Sequence, residues 1–156
     1  MQIDLYYIGK KKKHIYQEAE GLFTKRLKNY CKFNLNPIVP SKYSSALSTV
    51  EIKSKEENLV LSKLKAKTRL ILLDELGKNY NSIQFAQFNQ RQFQISSHLT
   101  FVIGGAFGFS ANLKKKADEL ISLSGMTFPH HLARIVFLEQ LYRAFSINNN
   151  EPYHNN

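Results

Sequence analysis

The polar residues of the segment TFPHHLARIVFLEQLYRAFSI, residues 127–147, are the ones best suited to chemistry. His130 and His131 stand near its start, and Glu139 and Arg143 interrupt an otherwise apolar run near its end. Histidine titrates near neutral pH and can accept a proton, whereas arginine can grip an anion or orient a base. Adjacent histidines on a helix point about 100° apart, so this pair does not favour a shared metal ion.

A glycine-rich turn, GGAFG at residues 104–108, separates a buried apolar run from a helix that Ser110 can cap. Ligands of open α/β sheets bind at the carboxyl ends of the strands, and glycine lets the backbone approach a ligand closely. The spacing G-G-x-x-G matches neither the dinucleotide fingerprint nor a P-loop. The glycines by themselves are equally compatible with a ligand site and with a tight turn.

The stretch LLDELGK, residues 72–78, ends another buried run with Asp74, Glu75 and Gly77. Two carboxylates at a strand end could hold ribose hydroxyls or exchange a proton. A solvated turn with a helix-breaking glycine explains the same residues, and it is the favoured interpretation.

The chain is strongly basic: 22 Lys and Arg stand against 12 Asp and Glu, a formal charge of +10. Such a charge favours a nucleic-acid partner. One cluster follows the first strand and is predicted to contact nucleic-acid phosphates. It consists of Lys10, Lys11, Lys12 and Lys13. A second cluster, at residues 114–116, lies on the helix after the glycine turn.

The composition also predicts the cellular location of the protein. The single cysteine, Cys31, allows no internal disulfide framework. No stretch approaches the ~20 apolar residues that span a bilayer. The N-terminus has an acidic residue, Asp4, and carries its lysines after the apolar run, unlike a signal peptide. We expect a cytoplasmic protein without a membrane partner and, since the zinc motifs are missing from the sequence, without a metal.

Apolar spacing predicts five strands that alternate with five helices. The strands are predicted at QIDLYYIG, KFNLNPIVP, TRLILLDELG, LTFVIGG and LISLS. The first helix is expected to carry Ile15 on its apolar face, and the second to be capped by Ser44 or Ser45. The third helix is expected at residues 79–93. This alternation predicts an α/β fold with a mostly parallel sheet and helices on both faces.

The last predicted helix is apolar on two faces. At 100° per residue, Leu138 lies on one broad apolar face and Phe137 on another. Glu139, Arg143 and Ser146 form a narrow polar stripe. A helix with two apolar faces must be buried on two sides. One side can be the sheet, and in so small a chain the other predicts a second subunit.

Four stretches stand in order along the chain: LLDELGK, FVIGGAFG, ISLSGMTFPHHLARIVFLEQLYRAF and EPYH. Together they resemble the bacterial large-subunit ribosomal RNA pseudouridine N3-methyltransferase family of the SPOUT superfamily. The resemblance covers the whole chain and is densest from residue 70 onward. It implies one parallel-sheet α/β SPOUT domain over residues 1–156, with a C-terminal trefoil knot that binds S-adenosylmethionine. It also implies a homodimer packed around the knot helices.

The resemblance assigns roles to individual residues. The implied cofactor-binding residues are Leu73, Gly104, Gly105, Leu123, Ser124, Gly125, Met126, Thr127 and Phe128. The implied catalytic residues are Arg143, His130 and His154. Tyr153 is an implied RNA contact, on a tail expected to reach across the dimer. At Phe107 the chain departs from relatives that often carry a polar residue, so no polar role is expected there.

The reaction implied by the resemblance methylates N3 of a pseudouridine in the large-subunit ribosomal RNA of the assembled ribosome. The cofactor carries an activated methyl group, so the protein's main task is positioning. N3 must also lose a proton. His130 and His154 are the candidate bases by residue type, although a structural role at the helix start suits His130 equally. Arg143 is expected to stabilise a deprotonated base or to hold phosphate.

Two other functions remain compatible with the residues alone. An RNA-binding module without catalysis would explain the charge but not the glycine turns. A nucleotide-dependent α/β enzyme would explain the turns but lacks the usual fingerprint.

Overall fold

The computed structural model describes residues 1–11 and 13–154. In these residues five strands alternate with five helices, which confirms the predicted order. The strands are β1 (Gln2–Ile8), β2 (Lys32–Ile38), β3 (Arg69–Asn79), β4 (His98–Ile103) and β5 (Glu119–Ser122). The helices are α1 (Gln17–Leu27), α2 (Thr49–Leu61), α3 (Ser82–Ile95), α4 (Ala111–Lys116) and α5 (His130–Asn148).

The five strands form one parallel sheet in the order β2-β1-β4-β3-β5. In register, Tyr7 of β1 is paired with Ile103 of β4, and Leu73 of β3 is also paired with Ile103. Because parallel strands all end at the same edge, the loops after β1, β3, β4 and β5 lie side by side. The sheet thereby gathers the predicted site residues from distant parts of the chain.

Helices cover both faces of the sheet, as predicted. Alternate residues of β1 point to opposite faces, so Leu5 packs in a core with Phe137 of α5, whereas Tyr6 packs in a second core with Leu113 of α4. The first core also contains side chains of α1 and α3, and the second contains Val60 of α2. The fold is a three-layer sandwich with α1, α3 and α5 on one side.

Two predicted helix starts are wrong. Helix α2 is capped by Ser48, whose side chain accepts from the Glu51 N–H while Glu51 accepts from the Ser48 N–H. This reciprocal capping box satisfies two backbone donors at once, and Ser44 instead accepts from the Ala46 N–H in the preceding turn. Helix α1 begins after Ile15, which is 88% exposed and contributes nothing to the core.

The third helix also starts later than predicted, because β3 continues through the acidic stretch to Asn79. An irregularity in the pairing of β3 with β5 falls between Leu73 and Lys78. Gly77 lies inside this irregular stretch, and a Cβ built there would stand 2.6 Å from the backbone nitrogen of Ile121. The glycine therefore permits a close approach of two strands; its interpretation as a helix breaker in a solvated turn is wrong.

Helix α5 lies across the first core. Phe137 and Leu138 are both fully buried, and the ring of Phe137 stands 4.8 Å from that of Phe101 on β4. Both residues belong to the first core, so neither of them is left for packing against a second subunit. Ser146 is also fully buried, so it does not belong to an exposed polar stripe. The half-exposed outer surface of α5 instead runs from Leu132 to the Glu139–Arg143 region.

No helix in the described ranges has the length and apolar character needed to cross a bilayer.

Candidate active site

A cavity of about 550 Å³ opens at the carboxyl ends of β3, β4 and β5, beside the start of α5. This volume lies in the range of small-molecule sites. The predicted cofactor-binding residues that line it are Leu73, Gly104, Gly105, Leu123, Ser124, Met126, Thr127 and Phe128. Gly125 lies in the same loop but not in the cavity wall, whereas His130 joins the wall. The predicted site residues in this cavity are up to 57 positions apart in the chain, from Leu73 to His130.

The loop between β5 and α5 holds its shape through short-range hydrogen bonds. The Ser122 hydroxyl donates to the Ser124 carbonyl at 2.9 Å, and the Met126 N–H donates to the Ser124 hydroxyl at 3.0 Å. These bonds turn the loop over the cavity and leave the Met126 side chain 76% exposed. The polar backbone of this loop therefore forms one wall of the cavity.

The glycine turn forms the opposite wall and rests on a buried carboxylate. A Cβ built on Gly105 would stand 2.6 Å from both carboxylate oxygens of Glu56, so only glycine fits here without displacing that side chain. Glu56 is 6% exposed, and burial raises the pKa of its carboxyl group, which a weak hydrogen bond from the Tyr43 hydroxyl opposes. In the described ranges its Oε2 atom has no hydrogen-bond partner.

The neighbouring carboxylate, Glu57, fixes the helix that follows the turn. It accepts from the Ser110 hydroxyl at 2.6 Å, from the Asn112 amide and from the Lys116 ammonium at 3.1 Å. The Ser110 hydroxyl in turn accepts from the Leu113 N–H, which confirms the predicted cap of α4. Neither glutamate was predicted from the sequence, because in a charge-rich helix a Glu-Glu pair resembles a solvated face.

The cavity wall carries both signs of charge. Asp74 forms a 2.7 Å ion pair with Lys114 across the mouth, and the Asp74 side chain is only 6% exposed. Lys53 and Glu75 also line the cavity. Since paired charges at a cavity mouth offer both donors and acceptors, the wall suits a ligand that carries an ammonium and a carboxylate together.

His130 stands at the first residue of α5, where it lines the cavity. Burial and the nearby Arg134 lower the pKa of its imidazole, and a hydrogen bond to the backbone of Gly105 opposes that shift. The net lowering keeps the ring neutral at pH 7, as a proton acceptor must be. Position and charge state are therefore both compatible with the predicted role.

Arg143 belongs to a second group near the other end of α5. Its Nε donates to Glu139 at 3.0 Å, its Nη1 stands 3.2 Å from Nδ1 of His154, and its guanidinium lies 4.8 Å from the ring centre of Tyr153. The Tyr153 hydroxyl also donates to Glu139 at 3.2 Å, and its ring meets that of Tyr142 edge-on. We call Glu139, Arg143, Tyr153 and His154 the tail cluster.

The predicted catalytic residues are therefore divided between two places. His130 and Arg143 lie thirteen positions apart on one continuous helix, a rise of about 20 Å. A catalytic contact requires heavy atoms within about 3 Å. The tail cluster of one chain cannot serve the cavity of the same chain while α5 keeps this form.

The predicted RNA-binding lysines follow β1. Lys10, Lys11 and Lys13 are exposed, and the latter two line a second, smaller cavity of about 250 Å³. Lys12 lies outside the described residues. The second cavity also contains Arg134, which is only 3% exposed and was not predicted from the sequence. A lone arginine on an apolar helix face was the signal that could have revealed it.

In the ranges 1–11 and 13–154, no group of three or more histidine, cysteine or acidic side chains is placed to hold a metal ion. The expectation that the protein needs none stays a prediction.

Comparison with known proteins adds a family to this geometry. Residues 1–154 match the family described as "Predicted SPOUT methyltransferase". Proteins named "Ribosomal RNA large subunit methyltransferase H" are 46% identical in Flavobacterium johnsoniae, 42% in Parabacteroides distasonis and 41% in Acetivibrio thermocellus. Each of the three alignments covers 99% of this chain and 99% of the relative. With its five-stranded parallel sheet and its cavity at the strand ends, the chain belongs to the SPOUT methyltransferase family.

Proposed function

We propose that this protein transfers a methyl group from S-adenosylmethionine to N3 of a pseudouridine in large-subunit ribosomal RNA. The observation that carries the proposal is the cavity at the strand ends, whose wall contains every predicted cofactor-binding residue except Gly125. Family membership and the names of the relatives support methyl transfer to ribosomal RNA. A non-catalytic RNA-binding module would need no such cavity.

The residues of the cavity fit S-adenosylmethionine. Its volume suits a nucleoside-sized ligand. The polar backbone at Gly104 and in the β5–α5 loop can recognise the adenine, and the Asp74–Lys114 pair can recognise the ammonium and carboxylate of the methionine part. Bound there, S-adenosylmethionine supplies a methyl group activated by a positively charged sulfur. The protein's own contribution is to hold N3 in line and to exclude water.

His130 is the proposed proton acceptor for N3. His130 lines the cavity, and burial is the main cause that lowers its pKa. A hydrogen bond to the Gly105 backbone connects the residue to the glycine turn. A neutral imidazole can take the N3 proton directly or through one water. Loss of that proton leaves negative charge on the base, which a guanidinium can stabilise.

That guanidinium is Arg143, and we propose that it comes from a second copy of the chain. The distance of about 20 Å along α5 separates Arg143 from the cavity of its own protomer. A partner chain packed on the outer surface of α5 in antiparallel orientation would bring its tail cluster to this cavity. The half-exposed apolar residues of that surface, Leu132, Ile135 and Val136, support such packing.

The remaining parts of the proposal concern context. We propose a single SPOUT domain over residues 1–156 whose C-terminal segment forms a trefoil knot, a homodimer and a cytoplasmic location. The assembled ribosome is the proposed substrate, with Lys10, Lys11, Lys12, Lys13 and Tyr153 as RNA contacts. The net charge of +10 supports the RNA contacts.

Two measurements test the function. Calorimetry should detect saturable binding of S-adenosylmethionine, and a Gly105→Val variant should lose it because its side chain collides with Glu56. Mass spectrometry of ribosomal RNA from a strain that lacks the gene should show one pseudouridine without its N3 methyl group. Unchanged ribosomal RNA would exclude the proposed substrate, whereas binding of ATP or NAD in place of S-adenosylmethionine would favour the nucleotide-dependent enzyme.

A further inference from the structure

The second cavity lies beside the first along the same edge of the sheet. Its lining residues are Tyr7, Lys11, Lys13, His14, Gln17, Glu20 and Arg134. Tyr7 is near the end of β1 and is paired in register with Ile103 of β4, which lines the first cavity. On α5, Ala133 lines the first cavity and Arg134 lines the second. The start of α5 thus contributes neighbouring residues to both cavities.

The second cavity contains a positively charged group, the Arg134 guanidinium, that its neighbours hold in place. The Arg134 guanidinium donates from Nε to Glu20 at 2.7 Å and lies 4.0 Å from the ring centre of Tyr7. Its Nη2 stands 3.0 Å from Nε2 of His14 and 2.9 Å from Nδ1 of His131. The two imidazole rings are only 4.1 Å apart between centres. Four contacts to separate side chains leave the guanidinium little freedom to move.

This arrangement determines where the His14 proton lies. A guanidinium only donates hydrogen bonds, so the imidazole nitrogens that face Arg134 must accept. A neutral imidazole that accepts at Nε2 carries its proton on Nδ1. His14 Nδ1 is therefore a donor; the side chain is 9% exposed, and among the described residues this atom has no hydrogen-bond partner. A buried donor without an acceptor is costly, so the cavity lacks an acceptor that a ligand could provide.

The charge of the lining indicates the class of that ligand. Glu20 compensates Arg134 through their ion pair, while Lys11 and Lys13 add two positive charges at the mouth. An acceptor that also carries negative charge satisfies both the His14 donor and the lysines. A phosphate group has this chemistry, and its oxygens take several donors at once.

We propose that the second cavity binds a backbone phosphate of the RNA strand whose base enters the first cavity. This inference rests on the proposed function, because it takes the RNA substrate from there. His14 donates to the phosphate through Nδ1, the lysines neutralise its charge, and Arg134 holds His14 in the tautomer that can donate. An RNA strand that crosses the start of α5 reaches both cavities. The phosphate contact therefore determines which base enters the first cavity.

The first test distinguishes the role of the Nδ1 atom of His14 from that of its Nε2 atom. A His14→Gln variant can still present an acceptor to Arg134 near the position of Nε2 but has no donor at Nδ1. A His14→Asn variant can present an amide near the position of Nδ1. In methylation assays on ribosomes we expect His14→Gln to raise KM about tenfold with little change in kcat, and His14→Asn to retain more of the affinity. Equal KM for His14→Gln and the parent would overturn the proposal.

The second test addresses the lysines with a matched control. The Lys11→Gln/Lys13→Gln double variant should raise KM. It should also make the fall of the RNA association constant with salt less steep, by about 1 in the slope of its logarithm against log salt concentration. The control, Lys28→Gln/Lys63→Gln, removes the same charge from exposed positions near the opposite edge of the sheet. It should leave the slope near that of the parent. If both double variants changed the slope equally, net charge alone would explain the salt effect, and the proposed phosphate site would be rejected.

A third measurement does not depend on the RNA substrate. In protein labelled with ¹⁵N-histidine, inorganic phosphate should shift the His14 imidazole signals saturably, while chloride at equal ionic strength should not. The Lys11→Gln/Lys13→Gln variant should weaken this response. No phosphate-specific shift in a protein that does methylate ribosomes would overturn the inference and leave the proposed function intact. Phosphate binding in a protein without methyltransferase activity would instead reject the proposed function and, with it, the RNA strand as source of the phosphate.

Discussion

The separation of His130 from Arg143 predicts that each complete catalytic site contains residues of two chains. Thirteen helical positions amount to about 20 Å, whereas a residue that stabilises the reacting base must approach to about 3 Å. Two variants each remove one part of the site, either the Arg143 guanidinium or the cofactor cavity. Arg143→Ala damages the tail cluster and leaves the cavity intact. Ala106→Trp places a bulky ring in the cavity wall at an exposed position, where it should not disturb the core.

Each variant alone is expected to be inactive, and the mixture is expected to recover activity. A heterodimer combines one intact cavity with the Arg143 of the other chain, so one of its two sites is complete. With one complete site of two, purified heterodimers should reach about half of the wild-type rate. Because about half of randomly assorted dimers are heterodimers, the unpurified co-expressed mixture should reach about one quarter.

The assay is methylation of ribosomes that lack the modification, with purified, differently tagged heterodimers. Two controls are needed: calorimetry must show that Ala106→Trp has lost cofactor binding, and thermal unfolding must show that both variants fold. If purified heterodimers are as inactive as the two homodimers, the sites are complete within one chain and the argument from α5 is refuted.

Three further predictions concern the scaffold. Gly105→Ala should weaken cofactor binding by up to about tenfold in calorimetry, because the new methyl group must displace the Glu56 carboxylate; Glu56→Ala should partly rescue it, and no rescue would contradict the steric explanation. Gly77→Ala should lower the free energy of unfolding by about 2–4 kcal/mol in urea, since its Cβ would stand 2.6 Å from the β5 backbone; a loss below 0.5 kcal/mol would show that the strands separate easily. Burial acts to raise the pKa of Asp4, but hydrogen bonds led by that from Asn34 outweigh it and lower the pKa from 3.8 to about 2. The resulting stabilisation is complete above pH 3.8 and is lost as the pH falls towards 2; it amounts to about 2 kcal/mol, and an Asp4→Asn variant should lack that acid-dependent component of its urea unfolding curve.

Much of the fold follows from local apolar spacing. The runs at residues 70–72 and 99–103 are buried in the sheet as predicted, because a strand covered by helices on both faces must be apolar on both faces. Leu73, the last residue of the first predicted run, is only half-buried and lines the cavity. Helix starts were less predictable where several candidate caps compete: the Ser-x-x-Glu capping box at Ser48 is satisfied, while Ser44, four residues earlier, is not a cap. The resemblance to a known family, rather than spacing, predicted which loop residues line the cavity.

The structure shows contacts that no spacing rule contains. Glu56 lies against Gly105 although 49 positions separate them, and Arg134 meets Glu20 across 114 positions. A sequence read alone assigns such charged residues to solvent, because exposure is the usual state of charge on a helix. Their burial depends on which helix covers which strand.

The sequence by itself determined the alternation of strands and helices, the basic charge and the residue types at each strand end, since these depend on neighbours in the chain. Only the tertiary structure decided which of those residues meet. The strand order β2-β1-β4-β3-β5 sets β1 beside β4, and so places the cavity of Arg134 next to the cavity of His130. The continuous helix α5 keeps Arg143 about 20 Å from His130. The physical reason is that a parallel sheet brings distant chain segments to one edge, while a helix holds its own residues at fixed separations.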